Sequence, residues 1–270
     1  MKHLKILTGL LLVAIIAVAC AKVPFTGRRQ ARLLPSQMMN SMSFSQYGDF
    51  LNQHDVVSSG TDVQRVRTIG DRLTRAVEVY YKAQGWESRL KEFEWEFNVV
   101  NDPTVNAWCM PGGKVVVYTG ILPVALNDDG LAVVMGHEIA HALAHHGNER
   151  MSQQLAVQLG GLGLQEALRT KPQQTRDIFM GAYGVGAQVG ALLPFSRLHE
   201  SEADRIGLIL MAIAGYNVDA APAFWDRMQA GAGGAPPEFL STHPSPDTRK
   251  ANLRKWASEA RAEAQKYTID

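Results

Sequence analysis

Apolar residues recur every three or four positions from Val63 through Val66, Ile69, Leu73, Val77 and Tyr80, a spacing that predicts an amphipathic helix over 61–83. Phe93, Trp95, Phe97 and Val99 then alternate with Glu94, Glu96 and Asn98, which predicts a half-exposed strand. Pro111-Gly112-Gly113 reads as a turn, and Lys114 to Thr119 as a second, valine-rich strand. Asn127 and Asp128 can cap a helix beginning near Asp129, with Gly147 able to end it. The interior of that helix, Leu131 to Gly136, is apolar on every side and is therefore expected to be buried. Helices are also expected over 199–214 and 219–230, with Ser245-Pro246 opening a final amphipathic helix that reaches about Gln265. The pattern is that of an α+β fold, mainly helical, with a small antiparallel or mixed sheet beside the helix that starts near Asp129. No internal repeat or further domain boundary stands out.

The N-terminal residues follow a different logic. Lys2 and Lys5 form a basic head, Ile6 to Ala19 is an apolar run, and small residues Ala17 and Ala19 lead into Cys20. This is the layout of a secretory signal over residues 1–19, too short for a comfortable membrane span. Cys20 directly after a small residue resembles a bacterial lipoprotein signal, which implies lipidation of Cys20 as the mature N-terminus. Ala21 is not the Asp that retains many lipoproteins at an inner membrane, so a periplasm-facing lipoprotein of the outer membrane is expected. Residues 20–60 read as a tether plus an N-terminal helical segment, and residues 61–270 as the main domain. Residues 178–195 carry no charge and have minimal transmembrane length. A single crossing there would part Glu200 from His137, and the only partner stretch, Met151 to Gln165, is short and polar; a buried or lid helix near the site is expected instead.

The chain has 270 residues, 46% of them hydrophobic and 20% charged, enough for one large domain or two small ones. A formal net charge of +1 gives no broad basic surface and argues against nucleic acid as the main partner. If Cys20 is acylated, Cys109 is the remaining cysteine, expected to be a small buried apolar residue rather than a nucleophile.

Four of the eight histidines fall between His137 and His146. His137-Glu138-Ile139-Ala140-His141 is an HExxH pattern, and on a helix its two histidines lie one turn apart on one face, where both can reach a single Zn²⁺. Glu138 is rotated about 100° from them, placing it to act on an attacking water as general base rather than on the metal. Two histidines leave the coordination shell incomplete. The candidates to complete it are His145, His146, His199, Glu200, Glu202, Asp204 and His243. His145 points past the metal and His146 lies off the ligand face, so both are expected to be structural or supporting. The strand Lys114 to Thr119, with Val115, Val116 and Val117, precedes the metal helix, and an unfolded substrate could add to its edge as an extra strand.

The pairing of His137 to His141 with Glu200-Ser201-Glu202-Ala203-Asp204 resembles the HExxH plus ExxxD pair of gluzincin peptidases of the HtpX and type-I CAAX prenyl endopeptidase family. The nearest likeness is to its soluble periplasmic, BepA- and LoiP-like branch, and it extends to Asn106-Ala107-Trp108, the Gly112-Gly113 turn and Thr242-His243-Pro244. The resemblance implies a zincin-like metallopeptidase domain in which Glu200 is the third zinc ligand and Asp204 orients a ligand histidine. It implies that His243 gates the open coordination position or assists the transition state, and that Arg249 ties its loop to a carboxylate. It leaves Glu202 as a surface residue and His199 as a satisfied polar one. The implied activity is zinc-dependent endoproteolysis, one Zn²⁺ per chain, on unfolded or misassembled envelope proteins as a form of protein quality control, with membrane contact through the lipid anchor. The sequence closes soon after its final helix, without the helical repeats of the BepA-like proteins, so functions that depend on those repeats are not expected. Two other readings stand beside it: a chaperone-like binding protein with little proteolysis, and a membrane-embedded protease.

Overall fold

The computed structural model describes residues 20–188, 192–230, 238–243 and 248–267. Two short strands, β1 (Cys20–Lys22) and β2 (Arg29–Ala31), pair antiparallel. They are followed by α1 (Ser36–Gln53), β3 (Val56–Val57), α2 (Thr61–Ala83), α3 (Glu87–Leu90), β4 (Glu96–Val100), β5 (Ala107–Met110) and β6 (Lys114–Tyr118). The remainder is helical: α4 (Leu122–Ala125), α5 (Asp128–Leu143), α6 (His146–Ala167), α7 (Gln173–Ala187), α8 (Leu193–Ile213), α9 (Ala220–Ala230), α10 (Glu238–Thr242) and α11 (Arg249–Ala264). The export segment 1–19, Pro244 and the Ser245-Pro246 cap lie outside the described residues.

The architecture is α+β: a small mixed sheet lies against a largely helical body, with α5 at its centre. The Asn127 side chain accepts from the Gly130 N–H at 2.9 Å and starts α5, and every residue from Gly130 to Leu143 is buried. α5 packs against α8, α2, α9 and β5. Its crossing with α8 is made at two glycines. A Cβ at Gly207 would sit 3.0 Å from the Gly136 carbonyl carbon and the His137 nitrogen, so only glycine lets the two backbones meet there. That approach sets the acidic face of α8 against the histidine face of α5.

Three expectations change here. β6 is internal: the strand order is β3-β4-β6-β5, with β4 parallel to it on one side and β5 antiparallel on the other. Val115, Val116 and Val117 are fully buried and offer no edge to a substrate. An uninterrupted valine run is what burial on both faces of a central strand selects. The edges are β3 and, beside β6, β5, a strand without a sequence signal because Ala107–Met110 is short and does not alternate with charged residues.

The stretch expected to be a tether is folded onto the body. Met39, Ser43 and Tyr47 of α1 are buried, and β3 joins the sheet. The segment before α1 runs along α6: the Leu33 N–H donates to Ser152 Oγ at 2.9 Å, and Asn148 Nδ2 donates to the Leu34 carbonyl at 2.7 Å.

Within 178–195, α7 is not a buried helix. Ile178 and Val185 are 64% and 67% exposed, and no α7 residue is buried. α7 lies against α6 as an outlying arm, joined where the Tyr183 hydroxyl donates to the Val157 carbonyl at 2.7 Å. No helix among the described residues is long and apolar enough to cross a membrane.

Candidate metal centre

α5 does not run to Gly147. It stops at Leu143, His145 takes a left-handed conformation (φ 52°), and α6 starts at His146. In a continuous helix a residue five positions after His141 would face away from it. The break turns His146 back, so that its Nδ1 lies 2.8 Å from His141 Nδ1.

Four buried side chains converge: His137 and His141 from α5, Glu200 from α8, and His243 at the end of α10. His137 Nε2 lies 3.1 Å from His141 Nε2, 3.3 Å from Glu200 Oε2 and 3.2 Å from His243 Nδ1. His141 Nε2 is 3.5 Å from Glu200 Oε1, and His243 Nδ1 is 3.1 Å from Glu200 Oε2. Ligands bonded tetrahedrally at about 2.0–2.1 Å are separated by about 3.3 Å, the edge of that tetrahedron. The observed spacings match that edge.

Proton placement gives a second test. Asp204 Oδ1 lies 2.9 Å from His137 Nδ1, and a carboxylate can only accept, so the His137 proton is on Nδ1 and its Nε2 lone pair faces the cluster. Glu202 Oε2 likewise accepts from His146 Nε2 at 3.0 Å. That leaves His146 Nδ1 as the acceptor for the His141 Nδ1–H, and again an Nε2 lone pair points inward. Two lone pairs facing each other at 3.1 Å beside a buried carboxylate are satisfied by positive charge between them, either a proton or a metal ion. The donor set fits a zinc-like divalent ion held by His137, His141 and Glu200, with His243 at the fourth corner.

The electrostatics agree. Burial by itself lowers the His137 pKa, but Asp204 and Glu200 outweigh it and raise it to about 9. The carboxylates thus draw positive charge to this spot, where a metal ion competes with a proton. Burial holds His141 well below the usual imidazole range and pushes the Glu138 carboxyl up. Glu138 Oε1 lies 3.4 Å from His243 Nε2. Arg249, almost fully buried, donates from Nη2 to Asp204 Oδ1 at 2.6 Å, and its guanidinium carbon lies 3.3 Å from the Trp225 ring centre. Asp204 is therefore held between Arg249 and His137.

Glu202, expected at the surface, is buried. It accepts from His146, from Arg28 Nε at 2.9 Å and from the Thr26 hydroxyl. Sequence reasoning placed it on the outer face of its helix because nothing local announces that residues 26–28 cover it. His199 donates to Glu149 Oε2 at 2.9 Å and stacks on His146, ring centres 4.3 Å apart. His145 lies beside Phe93, and burial brings its pKa down to about 3. Cys109 is only partly buried and lies in β5, and burial raises its thiol pKa well above the ordinary value.

The centre opens on a cavity of about 190 Å³ bordered by Met39, Trp108, Cys109, Glu138, His141 and His243. Tyr118 N–H donates to the Asn106 carbonyl across the β5–β6 pair. By strand alternation the backbone groups of Ala107 and Cys109 then face the opposite, outer side. The Ala107 N–H there donates to Asn106 Oδ1 at 2.9 Å, and the Cys109 N–H faces Glu138.

Comparison with known proteins fits this geometry. The profile of peptidase family M48 matches residues 65–257. The mitochondrial metalloendopeptidase OMA1 of Schizosaccharomyces pombe is 40% identical over 175 residues, covering 64% of this chain and 50% of the relative. The OMA1 of Saccharomyces cerevisiae is 38% identical over 195 residues, covering 69% and 54%. The beta-barrel assembly-enhancing protease of Escherichia coli is 33% identical over 173 residues, covering 62% and 35%. The chain spans about half the length, or less, of these relatives, and the identities support the family without singling out its envelope branch. With an intact HExxH helix, a buried carboxylate from α8 beside it and a match across most of its length, the chain belongs to peptidase family M48 and is a metalloendopeptidase domain.

Proposed function

We propose that the protein is a zinc-dependent endopeptidase that hydrolyses peptide bonds of misfolded or unassembled envelope proteins. The observation that carries the chemistry is the convergence of His137, His141 and Glu200 with Glu138 alongside. A bound Zn²⁺ would polarise the scissile carbonyl and acidify the attacking water. Glu138 takes a proton from that water as its oxygen adds to the carbonyl carbon. It passes the proton to the departing amine when the C–N bond breaks, and so returns to a carboxylate. A raised carboxyl pKa suits both halves of that exchange.

The outer side of β5 supports a substrate bound in extended form, its main-chain N–H groups donating to the Ala107 and Cys109 carbonyls, since the Ala107 N–H is held by Asn106 Oδ1 and the Cys109 N–H faces Glu138. Recognition through main-chain hydrogen bonds suits targets of varied sequence, as unfolded proteins are. The name of the Escherichia coli relative, a beta-barrel assembly-enhancing protease, points the same way. The export pattern of residues 1–19 and Cys20 supports a lipid-anchored, periplasm-facing protein, at an outer membrane rather than an inner one. His243 serves as a gate. Its ring stands at the fourth corner, which a catalytic zinc site keeps for water or substrate, so this arrangement is a resting one.

Glu138→Gln tests the chemistry. With zinc supplied, casein cleavage is expected to fall by roughly a hundredfold or more, while bound zinc per chain stays unchanged. Equal cleavage rates for the two proteins would remove Glu138 from the mechanism.

A further inference from the structure

Behind the metal centre lies a buried group that the peptide chemistry does not use. Glu149, from the first turn of α6, and Glu202, from α8, are 2% and 4% exposed at their side chains, and one guanidinium joins them. Arg28 Nη1 and Nη2 donate to Glu149 Oε1 and Oε2 at 2.9 and 2.6 Å. Its Nε donates to Glu202 Oε2 at 2.9 Å, and Nη2 lies 2.8 Å from the same oxygen. The Thr26 hydroxyl takes the other Glu202 oxygen. Glu202 in turn fixes His146, and His146 fixes His141. One continuous path of hydrogen bonds therefore runs from residues 26–28, ahead of the family-matched region, to a metal ligand.

Removing the guanidinium would leave two buried carboxylates facing each other with no positive charge between them. Their separation would relieve that repulsion, and Glu202 would then swing away from His146. His141 would keep its place on α5 but lose the partner that fixes its ring angle and its tautomer. Outer partners of this kind set how well a histidine is aimed at its metal.

We propose that Arg28 is a positioning residue of the metal centre, which it holds in register through Glu202 and His146, so that the segment preceding the catalytic domain is a working part of the site. This rests on the metal reading of the four-residue cluster. A lysine could supply the charge but not the planar fork that spans two carboxylates, so Arg28→Lys should rescue only in part.

The test is zinc affinity of the purified full chain, measured by competition with a chromogenic chelator, alongside the visible absorption of the Co²⁺-loaded protein. Arg28→Ala is expected to weaken zinc binding by about ten- to a hundredfold and to alter the Co²⁺ bands, with Arg28→Lys intermediate. Arg29→Ala, at an exposed neighbour, should match wild type. Glu202→Leu should reproduce the Arg28→Ala loss, and the double variant should be no worse than Glu202→Leu alone, because both act along one path. If Arg28→Ala does not fold, Arg28→Lys and Glu202→Leu decide the matter. Folded Arg28 variants with wild-type affinity and wild-type Co²⁺ bands would overturn the proposal, as would fully additive losses in the double variant. Failure of wild type to bind either ion would instead remove the metal reading beneath it.

Discussion

Glu138 and His243 share one small volume, 3.4 Å apart, and both cannot be used as placed when water enters the fourth corner. If the His243 ring is a gate, His243→Ala should raise basal casein cleavage several-fold at saturating zinc, with little change in thermal midpoint. A rate at or below wild type would make the ring an aid to the reaction instead. At this scale the sequence is most readable where chemistry forces spacing. His137, Glu138 and His141 stand out because two ligands and a base must share one helical face. Glu200, Asp204 and Arg249 are reached only through likeness to a family, since no spacing rule links them to His137. Glu202 and Arg28 were illegible for a plainer reason: one is a charged residue on α8 and the other lies in the loop before β2, and only the fold turns them toward each other. The left-handed break at His145 is similarly silent, because glycine or asparagine, the usual signals for that conformation, is absent there.

Among elements, the crossing of α5 and α8 decides whether the site exists. Gly136 and Gly207 let the backbones touch, and Asp204 and Glu200 sit one and two turns before that contact. A methyl at Gly207 would press on backbone atoms that cannot yield as a side chain can. Gly207→Ala is expected to cost about 1–3 kcal/mol of stability and to weaken zinc binding, both read from urea titrations with and without metal. A variant as stable and as metal-avid as wild type would show that the helices can part harmlessly. The helices themselves were the legible part of the fold, with α2 and α9 close to their expected spans because each carries a stripe of apolar residues, and α11 described from Arg249, beyond the expected Ser245-Pro246 start. Strand order was not legible. Valine-rich β6 reads as a strand from composition, but its neighbours, hence the position of the edge, depend on pairings that no local pattern encodes.

Over the whole molecule, the N-terminal region binds the parts together instead of trailing from them. β1 and β2, the contacts of Leu33 and Leu34 with α6, and the clamp made by Arg28 tie residues 20–34 to the catalytic body. Only a short stretch separates Cys20 from Thr26, which even fully extended spans about 20 Å. An acyl chain on Cys20 would therefore hold the catalytic body close to the bilayer. Labelled palmitate is expected to enter the wild-type protein and not Cys20→Ala when both are made in a bacterium with lipoprotein processing. Equal labelling, or none in either, would remove the anchor from this account.

The residues of the proposed ion site and their supports are drawn from positions 28 to 249. A newly made chain emerging from the ribosome has the two histidines of α5 long before it has His243 and Arg249. During that interval Asp204 lacks the guanidinium that holds it against His137, so the supported form of the proposed site comes into being only as the last helices dock.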